Sequence, residues 1–263
     1  MNNFELVEFS VENGVATITL NRPSAGNAVN LLLATELNQA ANLCCYNSSV
    51  RAVILNANGK LFCAGGDLAA MAQAGENVDS LLKDIAEQCH AAYSTLQRMR
   101  APVIAAINGP AAGIGFSLSL AADIAIASDK ASFLMAYTAA GLSPDGGISY
   151  LLPKMIGLRR AKEMALSNRK LSANEALDWG LVNKVVAGDD LQQEALALAT
   201  TLAQGATNAI GSAKSLFLSG DTQSLETQMI LEAGEIAKNA KTKDGQEGIH
   251  AFLERRKADF TGE

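Results

Sequence analysis

The sequence predicts an α/β fold that is followed by a mostly helical C-terminal third. Residues 5 to 20 alternate polar and apolar side chains, as the two strands of a hairpin do. Residues 29 to 128 then alternate between apolar runs typical of buried strands and stretches with helical spacing. Helical patterns dominate after Val186. Breaks in these helices are predicted at three glycines, Gly205, Gly220 and Gly245.

Local sequence patterns predict the first strands and helices. Asn13-Gly14 stands between two alternating runs, and this dipeptide is the strongest short signal for a hairpin turn. Apolar positions recur at helical spacing in residues 29 to 45, and the run Val50 to Leu55 suits a buried strand. Residues 78 to 100 have the pattern of a second amphipathic helix. An Ala-Pro pair ends it, because the residue before a proline disfavours helix, and VIAAIN (103–108) follows as a strand.

Residues 109 to 128, GPAAGIGFSLSLAADIAIAS, place three glycines before an Ala/Leu-rich helix and a strand after it. Backbone N–H groups at the start of such a helix can stabilise developing negative charge. A dinucleotide-binding loop is the rival interpretation, but Leu118 stands where the third glycine of G-x-G-x-x-G is needed. The sequence therefore disfavours that rival.

The composition fits a compact protein of 263 residues, of which 49% are hydrophobic and 18% charged. A formal net charge of −6 argues against a broad basic surface for nucleic acid. Four cysteines without C-x-x-C spacing and only two histidines argue against a metal cluster. The sequence shows neither a signal-peptide pattern nor an apolar run long enough to span a membrane. We therefore expect a cytoplasmic protein without a membrane partner.

The stretch GLSPDGGISY (141–150) carries the carboxylate of Asp145 in a turn. Proline fixes φ, aspartate bonds its own backbone and glycine accepts positive φ, so these residues are explained by the turn alone. A catalytic role for Asp145 needs support from the rest of the chain.

Four segments, in this order and spacing, form a highly specific pattern. They are NRPSAGNAVN (21–30), FCAGGDL (62–68), NGPAAGIGFSLSLAADI (108–124) and the stretch from GLSPDGG to NKVV (141–186). Together they resemble the enoyl-CoA hydratase/isomerase (crotonase) family over nearly the whole chain. The resemblance implies a crotonase (ClpP-like) spiral of β-β-α turns over residues 1–190 and a C-terminal helical trimerisation region over residues 191–263. It also implies a homotrimer or a hexamer of two trimers, an acyl-CoA substrate, and no cofactor, since coenzyme A is part of the substrate.

The resemblance assigns two backbone N–H groups to stabilise a thioester enolate. Ala64 matches the first position and Ile114 the second, which is usually glycine in the family. Because the donor is a backbone N–H, a side chain at position 114 need not remove it. Hydratases of the family also use two glutamates, and Ser117 and Tyr137 stand at those positions here. Neither side chain can replace a carboxylate near neutral pH, so simple hydration is disfavoured.

Asp145 is the remaining carboxylate candidate, and three functions stay open. Its position resembles the acidic residue of a subset of enoyl-CoA isomerases, in which one carboxylate moves a proton from C2 to C4. The first function is therefore double-bond isomerisation with Asp145 as acid/base. The second is 4-chlorobenzoyl-CoA dehalogenase-like hydrolysis, with Asp145 as nucleophile, His90 as base and Tyr137 in place of a tryptophan. The third is a non-catalytic CoA-binding protein.

The resemblance also implies a set of substrate-binding residues. Arg22 and Lys257 match positions that contact the CoA phosphates, and Lys257 would come from a neighbouring subunit. Asp67 has an alternative role as the N-cap of the helix after FCAGG. The full substrate-binding set is Arg22, Ala28, Asp67, Leu68, Tyr137 and Lys257. The acyl group itself is not specified by these residues.

Overall fold

The computed structural model describes residues 4–263, and its strands form two β-sheets. The strands are β1 Val7–Glu12, β2 Val15–Leu20, β3 Ala52–Ala57, β4 Val103–Ile107, β5 Ala111–Ala112, β6 Ile124–Ser128, β7 Ser132–Leu134, β8 Leu171–Ser172 and β9 Lys184–Val186. The main sheet has the order β1-β2-β3-β4-β6-β9 and the small sheet the order β5-β7-β8. In the main sheet β1 and β2 are antiparallel and the other neighbours are parallel.

The helices surround these sheets and fill the C-terminal part of the chain. They are α1 Leu31–Tyr46, α2 Leu68–Ala74, α3 Val78–Arg98, α4 Ile114–Ser119, α5 Ile148–Ile156, α6 Leu158–Ser167, α7 Ala173–Asp178, α8 Leu191–Ala203, α9 Thr207–Gly220, α10 Leu225–Asn239 and α11 Lys243–Leu253. Within the described range, none of them combines the length and the apolar content needed to cross a membrane.

The hairpin predicted for residues 5 to 20 is confirmed. Glu12 pairs with Val15 across a two-residue turn, and Asn13 and Gly14 have φ values of 51° and 80°. Positive φ at both central residues matches the right-handed twist of the flanking strands. The dipeptide therefore fixes the register of the first two strands.

The main sheet separates two apolar cores, because successive side chains of a strand point to opposite faces. On β3, Val53 and Leu55 face the larger core, while Ala52 and Ile54 face the smaller one. Helices α1 and α3 cover the larger core, which confirms the two amphipathic helices predicted from spacing. Helix α8 covers the smaller core.

Helix α8 belongs to the region that the sequence assigns to the C-terminal helices, yet it packs on the sheet. Leu191, Ala195 and Ala199 are buried in the smaller core. They lie four residues apart and form a narrow apolar strip, which lets the helix approach the strands closely. Helix α8 thus shares the smaller core with the main sheet, although it lies after the predicted boundary at residue 190. The division of the chain into two regions stays a prediction.

The Ala/Leu-rich helix predicted after the glycines is short, since α4 spans six residues. The helix ends where the chain rejoins the main sheet, since Asp123 is hydrogen-bonded to Val103 of β4. The Asp123 N–H donates to the Val103 carbonyl oxygen at 2.9 Å, and the Asp123 carboxylate accepts the Val103 N–H at 2.7 Å. Strand pairing between β4 and β6 thus overrides helix propensity.

Gly245 does not break a helix, which corrects the sequence prediction at this position. It lies in the first turn of α11, where its N–H donates to the Thr242 hydroxyl at 2.9 Å. A Cβ at position 245 would lie 2.0 Å from the Asn239 carbonyl oxygen. Glycine is needed here for the close approach of α10 to α11.

An ion pair between a largely buried lysine side chain and a partly exposed aspartate fastens the C-terminal helices to the core. Lys214 of α9 lies 2.6 Å from the Asp123 carboxylate, and the two side chains are 9% and 26% exposed. The same ammonium donates to the Ala101 carbonyl oxygen at 2.9 Å. These contacts position α9 against the end of α3.

Candidate active site

A cavity of about 340 Å³ lies where the FCAGGD loop, the start of α4 and the turn that carries Asp145 meet. Its wall includes the apolar side chains of Leu68, Met71, Leu82, Ile85 and Leu142. Among the described residues that line it, Asp145 supplies the single carboxylate and Lys83 the single cation. Within residues 4–263, no three His, Cys, Asp or Glu side chains are grouped so that they could hold a metal ion.

The turn that carries Asp145 depends on Gly146. This glycine has a φ of 63°, and a Cβ on it would lie 2.6 Å from Ser117 Cβ and 2.8 Å from a ring carbon of Tyr93. The Ser117 hydroxyl donates to the Asp145 carbonyl oxygen at 3.0 Å. The main chain of the turn therefore lies directly against α3 and α4.

The Asp145 carboxylate is half-buried and is held by a hydroxyl group. Tyr137 Oη donates to Asp145 Oδ1 at 2.7 Å and lies 2.9 Å from Ser117 Oγ. Burial raises the pKa of Asp145, and the opposing effects of the Tyr137 hydrogen bond and of His90 do not cancel this rise. Burial and the neighbouring Asp145 charge raise the pKa of Tyr137, so Tyr137 remains a protonated donor. Sequence reasoning placed Tyr137 at the site but did not predict this bond.

Main-chain contacts hold together the loops that carry Ala64 and Ile114. The Ala112 N–H donates to the Cys63 carbonyl oxygen at 2.9 Å. A Cβ on Gly115 would lie 2.4 Å from Cys63 Cβ, so only glycine lets the two loops approach this closely. Both predicted donor residues consequently line the same cavity.

The two predicted N–H donors differ in their present hydrogen bonding. Within residues 4–263 the Ile114 N–H makes no hydrogen bond, as is usual for the first N–H groups of a helix. The Ala64 N–H donates to the Gly26 carbonyl oxygen at 2.9 Å. A thioester oxygen would have to share or replace that bond in order to use the Ala64 N–H.

His90 lies beside the turn but does not line the cavity. It is exposed on α3, and its Nε2 accepts the Gly146 N–H at 3.0 Å. The lone pair of Nε2 is therefore occupied. A role for His90 as the base of a hydrolytic water requires that this bond be broken.

Arg22 and Asp67 form an ion pair that ties two loops together. Arg22 Nη1 lies 2.7 Å from Asp67 Oδ2 and donates to the Ala28 carbonyl oxygen at 2.8 Å. Asp67 Oδ1 accepts the Ala70 N–H at 3.0 Å, which confirms Asp67 as the N-cap of α2. The Arg22 guanidinium thus already has protein partners at the position predicted to contact a phosphate.

Of the other predicted substrate-binding residues, Leu68 lines the cavity and Lys257 does not. Leu68 is 64% exposed at the cavity wall, whereas Lys257 is exposed and lines neither this cavity nor a second one of about 670 Å³. Sequence reasoning missed Lys60, which lines that second cavity with Pro23 and Gly26. The available signal was a cation two residues before the FCAGGD segment.

Comparison with known proteins matches residues 10–263 to a family model described as enoyl-CoA hydratase/isomerase. The chain is 37% identical over 264 residues to 1,2-epoxyphenylacetyl-CoA isomerase of Escherichia coli K12, covering 98% of this chain and 99% of the relative. It is 40% identical over 222 residues to 4-chlorobenzoyl coenzyme A dehalogenase-2 of an Arthrobacter species, covering 83% and 80%. The crystal structure of an enoyl-CoA hydratase from Bacillus anthracis superposes with a TM-score of 0.93 at 33% identity, covering 98% of this chain and 100% of that chain. These similar proteins carry the names of three different reactions.

Proposed function

This chain belongs to the enoyl-CoA hydratase/isomerase (crotonase) family and has the crotonase fold, and from that membership we propose that it shifts a carbon–carbon double bond in an acyl-CoA thioester. The family acts on CoA thioesters. Within the family the reaction depends on which side chains surround the acyl group, so the contents of the cavity carry the rest of the proposal.

The observation that carries the proposal is the single carboxylate among the described lining residues. Adding water to a double bond requires one group to activate the water and another to protonate carbon. The two positions that resemble the hydratase glutamates hold Ser117 and Tyr137. The Tyr137 hydroxyl donates to the Asp145 carboxylate, and the Ser117 hydroxyl donates to the Asp145 carbonyl oxygen. Isomerisation needs only one group that removes a proton and returns it, and Asp145 can serve as that group.

In the proposed reaction Asp145 takes a proton from C2 of a 3-enoyl-CoA. The electron pair of that C–H bond forms a C1–C2 double bond, and negative charge develops on the thioester oxygen. The Ile114 N–H, joined by the Ala64 N–H when it leaves Gly26, stabilises this charge. One such donor contributes about 3 kcal/mol. Asp145 then returns the proton to C4, which leaves a 2-enoyl-CoA with no atom gained or lost.

The surroundings of Asp145 support an acid/base role. A general base works best when its pKa lies near the working pH, and burial raises the pKa of Asp145 from its ordinary acidic value. Tyr137 holds Oδ1, which leaves Oδ2 to carry the proton. Tyr137 thereby fixes the orientation of the carboxylate.

A conversion assay tests the proposal. We expect purified protein to convert 3-enoyl-CoA to 2-enoyl-CoA, and Asp145→Asn to lower kcat about 10²- to 10⁴-fold, as loss of an acid/base group does. Asp189→Asn, an exposed aspartate in the turn before α8, is the matched control and should behave as the parent protein. Unchanged isomerase turnover in Asp145→Asn contradicts the assignment.

A second candidate is dehalogenase-like hydrolysis, and the position of His90 next to the Asp145 turn favours it. In that reaction a carboxylate oxygen of Asp145 attacks the ring carbon that carries the halogen of an aromatic acyl-CoA, and halide leaves to give an aryl ester. Water then attacks the carboxyl carbon of that ester, which releases the hydroxyaryl-CoA product and regenerates Asp145. A single turnover in H₂¹⁸O would place label in Asp145, whereas isomerisation would not.

A third candidate, a non-catalytic CoA-binding protein, predicts CoA-thioester binding without exchange of the C2 proton in D₂O.

The contacts to CoA are also part of the proposal. A phosphate bound by Arg22 would compete with Asp67 for the guanidinium group. The Ala28 carbonyl oxygen accepts a hydrogen bond from that guanidinium. Lys60 adds a cation beside the second cavity. Lys257 lines neither of these two cavities, which agrees with the proposal that it contacts a phosphate bound to a neighbouring subunit.

Exposed apolar side chains on the last three helices support the proposed homotrimer or hexamer. Phe217, Ile230, Ile236 and Phe252 are each more than 70% exposed. In the proposed assembly, neighbouring subunits would cover these apolar side chains. Light scattering should give the mass of three or six chains, and the mass of one chain would contradict the proposed assembly.

A further inference from the structure

Helix α3 contacts both loops of the proposed active site through two side chains on one face. His90 and Tyr93 are three residues apart, so they are neighbours on the helix surface. The Tyr93 hydroxyl donates to the Ile114 carbonyl oxygen at 2.8 Å, and the Gly146 N–H donates to His90 Nε2 at 3.0 Å. Ile114 is the first residue of α4 and carries the free N–H, and Gly146 directly follows Asp145.

Tyr93 lies between the two loops and contacts both. Its side chain is buried, with 7% exposure, and its hydroxyl holds Ile114. Its ring also lies so close to Gly146 that a Cβ there would be 2.8 Å from Tyr93 Cε2. Burial raises the pKa of Tyr93 well above its usual value, so the hydroxyl remains a neutral donor. A displacement of Tyr93 would therefore move the Ile114 peptide relative to the turn.

His90 contacts the turn as a hydrogen-bond acceptor. The Gly146 N–H can be bonded only when Nε2 carries no proton, which corresponds to the neutral ring with its proton on Nδ1. A base that activates water needs a lone pair that is free to take a proton. Because Nε2 already accepts the Gly146 N–H, it is not free to take a proton from water. The contact therefore indicates a structural role for His90.

We propose that His90 and Tyr93 are positioning residues that fix the separation between the Asp145 carboxylate and the Ile114 N–H. The inference rests on the proposed function, since it assumes that both groups act on one acyl group. Proton transfer at C2 and charge stabilisation at the thioester oxygen occur two bonds apart, so the two protein groups must keep a matching separation. A misplacement of 1 Å in such a site costs about 100-fold in rate.

The protonation of the imidazole can be read without turnover. The chain has two histidines, so ¹⁵N-histidine labelling gives two ring spin systems, and His250→Gln identifies the signals of His90. In the neutral ring we expect the Nδ1–H tautomer, with Nε2 showing the ¹⁵N shift of an unprotonated nitrogen that accepts a hydrogen bond. An Nε2–H tautomer for His90 overturns the inference.

Substitutions test whether the contacts matter for rate. In His90→Gln the amide oxygen can still accept the Gly146 N–H, so kcat should stay within about threefold of the parent, whereas His90→Ala should lower kcat about tenfold or more with a smaller change in KM. Tyr93→Phe removes only the hydroxyl that holds Ile114 and should lower kcat to a similar extent. The matched control is Gln97→Met on the same helix, because Gln97 donates to the Leu120 carbonyl oxygen outside the cavity lining.

The outcomes separate this inference from the proposed function. If His90→Gln is as impaired as His90→Ala, His90 acts through its proton and the positioning role is refuted. If His90→Ala and Tyr93→Phe match Gln97→Met in kcat, the contacts do not position the site and the inference also fails. If Asp145→Asn keeps full isomerase turnover, the proposed function fails, yet the His90 tautomer still decides whether His90 holds the turn.

Discussion

Replacing Gly146 by alanine tests whether the turn beside Asp145 needs a residue without a side chain. Gly146 has a φ of 63°, and its added Cβ would meet Ser117 Cβ at 2.6 Å and Tyr93 Cε2 at 2.8 Å. Gly147 is the matched control, because it has a similar φ of 74° but nothing within 4 Å of an added Cβ. The pair separates the cost of backbone strain from the cost of the steric clash.

The expected magnitudes follow from these two surroundings. Left-handed φ costs an alanine about 1–2 kcal/mol, and this applies to both positions. Overpacking against buried neighbours costs a further ~1–3 kcal/mol, and it applies only at Gly146, where Ser117 and Tyr93 are buried and cannot move aside. We therefore expect Gly147→Ala to lower the free energy of unfolding by about 1–2 kcal/mol and Gly146→Ala by about 2–5 kcal/mol.

Urea denaturation at one fixed protein concentration measures both free energies of unfolding. Because relief of the clash must displace the turn, Gly146→Ala should also lower kcat for 3-enoyl-CoA isomerisation by at least about tenfold, while Gly147→Ala keeps most activity. Equal losses of stability in the two variants, or a fully active Gly146→Ala protein, would refute the close packing of this turn on α3 and α4.

Two other substitutions test the electrostatics. Tyr137→Phe removes a hydrogen bond that favours the ionised Asp145 carboxylate, so the pKa of Asp145 should rise and the acidic limb of the pH profile of kcat/KM should move to higher pH; Tyr150→Phe is the control, and an unmoved limb contradicts the contact. Lys214→Met removes the cation from the partly exposed Asp123 carboxylate and leaves only its bond from the Val103 N–H. The free energy of unfolding in urea should fall by about 3 kcal/mol, near the lower end of the range for a buried pair. A loss no larger than that of the exposed control Lys238→Met would show that this ion pair does not hold the C-terminal helices.

Local signals predicted much of the fold because they need no distant partner. Asn13 and Gly14 accept the positive φ of a hairpin turn because of their own residue types, and the apolar spacing of α1 and α3 determines which helix face is buried. The predictions failed where tertiary contacts competed with local preference. Helix α4 ends early because Asp123 pairs with Val103, and Gly245 serves a close approach of two helices instead of a break.

The same contrast between local signals and tertiary contacts applies to the candidate active site. Residue types at fixed spacing were enough to predict the family, which the comparisons confirm, and to identify Asp145 as the carboxylate of the SPDGG turn. They also predict that Ser117 and Tyr137 stand where the resemblance expects two hydratase glutamates. The partners of those residues depend on tertiary packing. The Asp145 carboxylate meets Tyr137, Gly146 meets His90 across 56 positions of sequence, and Arg22 meets Asp67 across 45. Such contacts depend on how helices and loops pack, and no local pattern of residues records them.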